Sequence, residues 1–203
     1  MPPNLRDRIT RDMDAFYLGL LGPDPLIFDP RTQKEARHFH KVWEKEALPR
    51  LTRAMREGDP SESSFAAGGY LHLVLDDVVH PLIWGWMKEG ASHMRMELAL
   101  DFNILREEGI KRMPRIFTEG KYRVAPYVHL MLPQAQANHY LTGLRAMQLA
   151  IDYIRHREKA IMAGLSGPER HYVRLLRQAV DENIAPTAER LVGLLERKKG
   201  VSL

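Results

Sequence analysis

GGYLHLVLDDVVHPLIWGWMKEGASHMRMELALD, residues 68–101, decides how this chain is read. His72, Asp76 and His80 recur at steps of four, and His93 and Glu97 repeat the step further on. At roughly 100° per residue such a step keeps side chains on one face of a helix, so imidazole, carboxylate and imidazole project together. Leu71, Leu73, Val74, Leu75, Val78 and Ile83 fill the other faces. A helix this apolar is expected to be buried on most sides, where unpartnered imidazoles and carboxylates carry a heavy desolvation cost. A single His/Asp pair is most often a surface hydrogen bond; two such sets inside apolar sequence call for a cation. Imidazole nitrogen and carboxylate oxygen suit zinc, and more than four such groups in one place point to more than one ion.

Outward from this stretch the periodicity is helical almost everywhere. The pattern predicts a short helix from Asp14 to Leu21, stopped by Gly22-Pro23, and a loop to Pro30 that carries Asp24. A helix follows from Thr32 to Glu57, kinked or broken at Pro49, and then a linker at Gly58-Asp59-Pro60-Ser61. Ser63 or Ser64 is the expected cap of the next helix, which runs toward Trp86 and bends or ends soon after Pro81. Ser92 can cap the helix of His93 and Glu97. Residues Gly109 to Pro133 read as a long connection or short helices bordering the site. Helices then run from Gln134 to Met162 and from Pro168 to Arg197, the last kinked at Pro186. No strand alternation, internal repeat or low-complexity run is present, so the expectation is all-α: one multi-helix domain over residues 1–203, its metal site between helices.

Composition narrows the function classes. A chain of 203 residues with 44% hydrophobic content can bury a core, and with no cysteine it offers only nitrogen and oxygen ligands. Arg6, Asp7, Arg8, Arg11, Asp12 and Asp14 interrupt any apolar leader, and no run of roughly eighteen apolar residues exists, so a cytoplasmic protein without a transmembrane segment is expected. The net charge of +4 comes from interleaved charges such as REEGIKR and RHREKA, the pattern of solvated helix faces, so no stable nucleic-acid complex is expected.

With Asp24 in AFYLGLLGPDPLIF, the spacing His72, Asp76, His80-Pro81, then His93 and Glu97, resembles the bacterial zinc-dependent phospholipase C family, over about Ala15 to Leu105. That resemblance implies an all-α fold and a metal-dependent phosphoesterase that uses a two-zinc or three-zinc site. It implies that Asp24 is a metal-site carboxylate and general base, and that a His from a neighbouring helix joins it, best matched by His40 in HFHKVW, with His38 as the alternative. One zinc would then take His72, Asp76 and His40, and a second His80, His93 and Glu97, giving about two ions per chain. Family members carry a further His-containing segment before Gly-Pro-Asp, whereas this chain has no His before His38. Either that segment is missing from this version of the protein, or two metals stand where relatives hold three. The implied partner is a phosphoester small molecule or phospholipid head group; the physiological substrate and the oligomeric state are left open.

Other residues read more plainly. Asp77 points about 100° away from Asp76 and fits a structural partner better than a ligand. Asp101, one turn beyond Glu97, can orient a ligand His. Trp84 and Trp86 can wall a pocket, though packing is the commoner use, and His129, His139, His156 and His171 lack partnered spacing. Two other classes remain: a metal-stabilised scaffold without turnover, and a helical di-iron oxidase, for which only Glu35 with His38 supplies the required Glu-x-x-His step.

Overall fold

Asp12 starts the first helix in the way its chemistry allows: its carboxylate accepts from the Ala15 backbone N–H at 3.0 Å, satisfying an otherwise unpaired donor. The structure, a computed structural model, describes residues 11–32, 44–87, 93–107, 127–132 and 134–196. Seven α-helices lie within them: α1 Met13–Leu20, α2 Glu44–Glu57, α3 Pro60–Met87, α4 His93–Glu107, α5 Gln134–Arg155, α6 Glu158–Ala163 and α7 Gly167–Glu196. Two 3-10 turns, Asp24–Phe28 and Val128–Leu130, join them, and no strand occurs among the described residues. The all-α expectation holds.

α1 runs alongside the first half of α3 in the same direction. The Ser61 hydroxyl donates to Asp12 Oδ2, and the Asp12 N–H donates to Ser64 Oγ at 3.3 Å. Between these ends the two backbones touch: a Cβ on Gly19 would overlap the Phe65 carbonyl, and one on Gly68 the Phe16 carbonyl. α2 returns antiparallel to α3, with Ser63 Oγ donating to the Met55 carbonyl at 3.0 Å and Leu51 packed at Gly69. Leu26, Leu51, Phe65, Leu73, Tyr140 and Leu191 are buried in this first core. A second core, with Ile83, Met96, Leu100, Val173 and Leu176, fills the space between the far half of α3, α4 and α7.

Several local expectations are corrected. Asp59, not Ser63 or Ser64, caps α3: its carboxylate accepts from the Glu62 N–H at 2.9 Å with Pro60 in the first turn, while both serines are buried. α3 runs through Pro81 to Met87, in keeping with its expected course toward Trp86, and α2 and α7 run on through Pro49 and Pro186. Thr32 closes the turn after Phe28, with its hydroxyl donating to the Leu26 carbonyl at 2.9 Å, and of the helix expected from Thr32 to Glu57 residues 33–43 lie outside the described residues. The helix expected from Gln134 to Met162 is two, α5 ending at Arg155 and α6 starting at Glu158. α7 opens on a capping box, the Ser166 N–H donating to Glu169 Oε2 and the Glu169 N–H to Ser166 Oγ. Of the connection expected from Gly109 to Pro133, residues 127–132 are described, and Val128, Leu130 and Met131 lie in the first core. Ser92 lies outside the described residues.

The Gly19/Gly68 contact gives the fold its most direct test. Gly68→Ala should destabilise the protein by about 1–3 kcal/mol, because backbone rather than a movable side chain blocks the added methyl. Gly193→Ala, in α7 with nothing within 4 Å of its Cβ position, should raise stability by about 0.5–1 kcal/mol. Chemical denaturation of the two variants beside the parent checks both, and equal effects would contradict the packing.

Candidate functional site

α1 ends where its sequence leaves no alternative. Gly22 has φ +53°, the left-handed conformation that lets a glycine terminate a helix, and its N–H donates to the Gly19 carbonyl at 2.8 Å. Pro23 then opens the 3-10 turn whose first residue is Asp24. Gly22 is needed for a second reason, since a Cβ there would collide with the His72 ring. The buried end of this turn is clamped against α5: the Pro25 carbonyl lies where a Cβ of Gly143 would be, and the buried Asp29 accepts from His139 Nδ1 at 3.1 Å. Arg31 donates to the same carboxylate through Nε at 3.0 Å and a second nitrogen at 2.7 Å. Arg31 and His139 cover it as a thin layer near the surface. The Arg31 side chain first, then its backbone N–H and His139, hold the Asp29 carboxyl well below the usual carboxylate range despite the opposing effect of desolvation.

His72 is the centre of the arrangement. Its Nδ1 lies 2.9 Å from the Leu20 carbonyl oxygen, which can only accept, so Nδ1 carries a proton and the ring turns Nε2 the other way. Nε2 is buried and makes no hydrogen bond, yet Asp76 Oδ2 is 2.9 Å away and Asp24 Oδ1 4.0 Å away. The 2.9 Å approach of Asp76 is an electrostatic pairing of carboxylate and ring that leaves Nε2 without a hydrogen bond of good geometry. Burial alone would drive the imidazole neutral, but the charges of Asp76 and Asp24, with the Leu20 hydrogen bond, outweigh it and raise its pKa to about 9. One nitrogen anchored on a backbone carbonyl and the other facing carboxylates is the arrangement that orients metal-binding histidines.

Asp76 also faces the next turn, with His80 Nε2 4.0 Å from its Oδ1, and its side chain is 19% exposed against 44% for Asp24. Asp77 is exposed, as its angular position requires. From α4, Glu97 is half-buried and Asp101 reaches the same recess. Asp101 is exposed at its surface, yet desolvation by the surrounding protein first, then the charges of Glu97 and Asp24, push its carboxyl up to about 7. Asp24 therefore acts electrostatically on both α3 and α4. His93 opens α4, although its side chain lies outside what is described. His38 and His40 lie outside the described residues altogether.

Thus Asp24, His72, Asp76, His80 and Glu97 come to one region of the molecule. Among the described residues no three His, Asp or Glu side chains close into a cage around a single point. The donor chemistry nevertheless fits zinc, because a cation would meet an unbonded buried nitrogen and a surplus of carboxylates. Two surface clefts of about 470 and 430 Å³ lie along α2, on residues such as Pro49, Arg53 and His129, away from this group. The Leu20 carbonyl and the Asp29–His139 pair were not legible in the sequence, since backbone acceptors leave no pattern and the pair is 110 residues apart.

The chain belongs to the zinc-dependent phospholipase C family, whose model matches residues 1–160 of the 203. At family level this makes it a metal-dependent phosphoesterase of the phospholipase C type. Neither a curated relative nor a solved structure matches the chain. No helix among the described residues is long and apolar enough to cross a membrane.

Because Asp29 holds the Asp24 turn on α5, its titration should be visible in stability. Its folded pKa is depressed, so its contribution is complete above the ordinary carboxylate range and is lost as pH falls through that range toward its own lower value. Asp29→Asn should lower the melting temperature at neutral pH, and the gap from the parent should shrink as pH falls below about 4. A gap independent of pH would show that the carboxylate charge is not what holds the turn.

Proposed function

We propose that this protein is a phospholipase C-type hydrolase that holds about two zinc ions and cleaves phosphoesters, with phospholipids as the substrate class. The observation that carries the reading is the buried His72 Nε2, unbonded and faced by Asp24 and Asp76 while Nδ1 is fixed on Leu20. Family membership, with its zinc dependence, supports it independently. His72 and Asp76, joined by His40, would hold one ion; His80, His93 and Glu97 would hold the other. Zinc in such a site polarises phosphoryl oxygens and supplies a water that is acidic near neutrality.

The remaining work falls to this chain's own groups. Asp24 is the most solvent-accessible carboxylate of the α3 group, and one of its oxygens lies 4.0 Å from His72 Nε2. It can accept a proton from the attacking water and return it to the leaving alcohol. In that hydrolysis the water oxygen bonds to phosphorus, the phosphorus–oxygen bond to the alcohol breaks, and the alcohol oxygen takes the proton. Leu20 keeps His72 in the tautomer that leaves Nε2 available, and Asp101 adds negative charge beside Glu97.

Two adjacent residues test the assignment. Asp76→Asn should lower zinc content and cut kcat/KM on a phospholipid by about 100-fold or more, whereas Asp77→Asn, one residue along on the exposed face, should change either by less than about twofold. Elemental analysis of protein purified without added metal should show about two zinc ions per chain. Zinc without turnover on any phosphodiester or phosphomonoester would make the protein a metal-stabilised scaffold, and iron in its place would favour an oxidase. Glu97→Gln, assayed in zinc-supplemented buffer so that weaker binding is not mistaken for lost chemistry, should also remove most activity. Full activity of that variant would separate α4 from the site.

A further inference from the structure

The stripe that carries His72, Asp76 and His80 does not stop at His80. One turn further along the same face of α3 stands Trp84, and Met87 lies close to the same line. The Trp84 ring stacks on His80, with centroids 5.6 Å apart and planes at 19°, so the indole continues the wall of the site outward. It is 50% exposed, and Met87 46%. Pro81, also exposed, flanks it, and a Cβ added at the next residue, Gly85, would meet nothing within 4 Å.

Exposure of Trp84 is not forced by a shortage of packing partners on this helix. Trp86, two residues on and on the opposite side, stacks on Tyr172 of α7 with centroids 4.8 Å apart and planes at 6°, against the second core. Trp84 is thus the indole of this segment that the fold does not use. A large aromatic surface left half in water, touching a candidate ligand, is suited to the apolar part of whatever the site binds.

We infer that Trp84, with Pro81 and Met87 beside it, is a substrate-recognition residue that takes the glyceride and acyl portion of a phospholipid while its phosphate lies at the His72 group. This rests on the phosphoesterase reading for the identity of the site. It adds which residue of this chain contacts the apolar portion of that substrate. The continuity of one helical face from His72 through His80 to Trp84 favours a lipid over a protein partner, because the apolar surface begins where the phosphate-binding chemistry ends.

The test is a ratio that loss of general activity leaves unmoved. The kcat/KM for dihexanoyl phosphatidylcholine, below its micellar concentration, is divided by that for p-nitrophenylphosphocholine, which has no acyl chains. Trp84→Ala should lower this ratio by about tenfold, chiefly through KM of the lipid, and Trp84→Phe should restore part of it. Melting temperature and zinc content identify a variant that has misfolded or lost metal, and in that case Trp84→Phe alone carries the comparison. A second measurement needs no turnover. Quenching of tryptophan fluorescence by brominated phosphatidylcholine vesicles should drop sharply in Trp84→Phe, although two of the three tryptophans remain. An unchanged ratio, or quenching that persists in Trp84→Phe, overturns the inference even where the parent hydrolyses lipid. Quenching that depends on Trp84 in a protein with no hydrolytic activity leaves a lipid contact at Trp84 but overturns its substrate role together with the phosphoesterase reading.

Discussion

The hydrogen bond from His72 Nδ1 to the Leu20 carbonyl exists only because α1 and α3 meet backbone to backbone, and the rest of the site depends on it. Gly19 and Gly68 leave no side chain between the helices, so a backbone acceptor at the end of α1 comes within 2.9 Å of an imidazole on α3. One turn later Gly22, with its positive φ, ends α1 without touching the His72 ring and directs the chain into the turn that carries Asp24. The geometry of His72 and the position of Asp24 therefore share one cause. Small residues here set a distance, as they do wherever two helix backbones must approach closely.

Charge at the site is arranged around an imbalance. His72 is pushed toward its cationic form by Asp76 and Asp24, and Asp101 toward its neutral form by desolvation first and then by the charges of Glu97 and Asp24. A proton on His72 offsets one negative charge, yet Asp24, Asp76, Glu97 and Asp101 bring more than one. A divalent cation would relieve both perturbations together, releasing the His72 proton and letting Asp101 ionise. The perturbed groups lie on α3 and α4, the two helices whose four-residue spacings first marked the site, so electrostatics and spacing point to the same place by independent routes.

Legibility in the sequence followed the range of the interaction. The four-residue steps of α3 and α4 and the Gly22-Pro23 stop were legible because they are local, and the helices they predict are present. Longer-range features were not. Asp59 outcompeted Ser63 and Ser64 as the cap of α3 because both serines are consumed in the interior, Ser63 on the Met55 carbonyl and Ser64 on the Pro60 carbonyl. The packing that carries α3 past Pro81 to Met87, Ile83 and Trp86 against α4 and α7, is likewise long-range, and it offsets the lost backbone bond. His139 had no sequence partner, yet the fold supplies Asp29 and makes it part of the clamp on the Asp24 turn.

α3 carries two different obligations along its length, and the site occupies the place where they meet. Its first half is enclosed by α1 and α2 in the core that holds Phe65 and Leu73; its second half rests on α4 and α7 through Ile83. Neither core claims the stripe from His72 to Trp84, which runs along the seam between them. A polar stripe left by two cores inside an apolar helix is stable only if its groups find partners, and those available are a carbonyl at the end of α1, carboxylates from the Asp24 turn and α4, and a cation. The same seam opens outward at Trp84, where enclosure by the two cores gives out and solvent begins. Polar chemistry thus sits at the enclosed end of the stripe and apolar surface at its mouth, an order that matches a ligand charged at one end and apolar at the other.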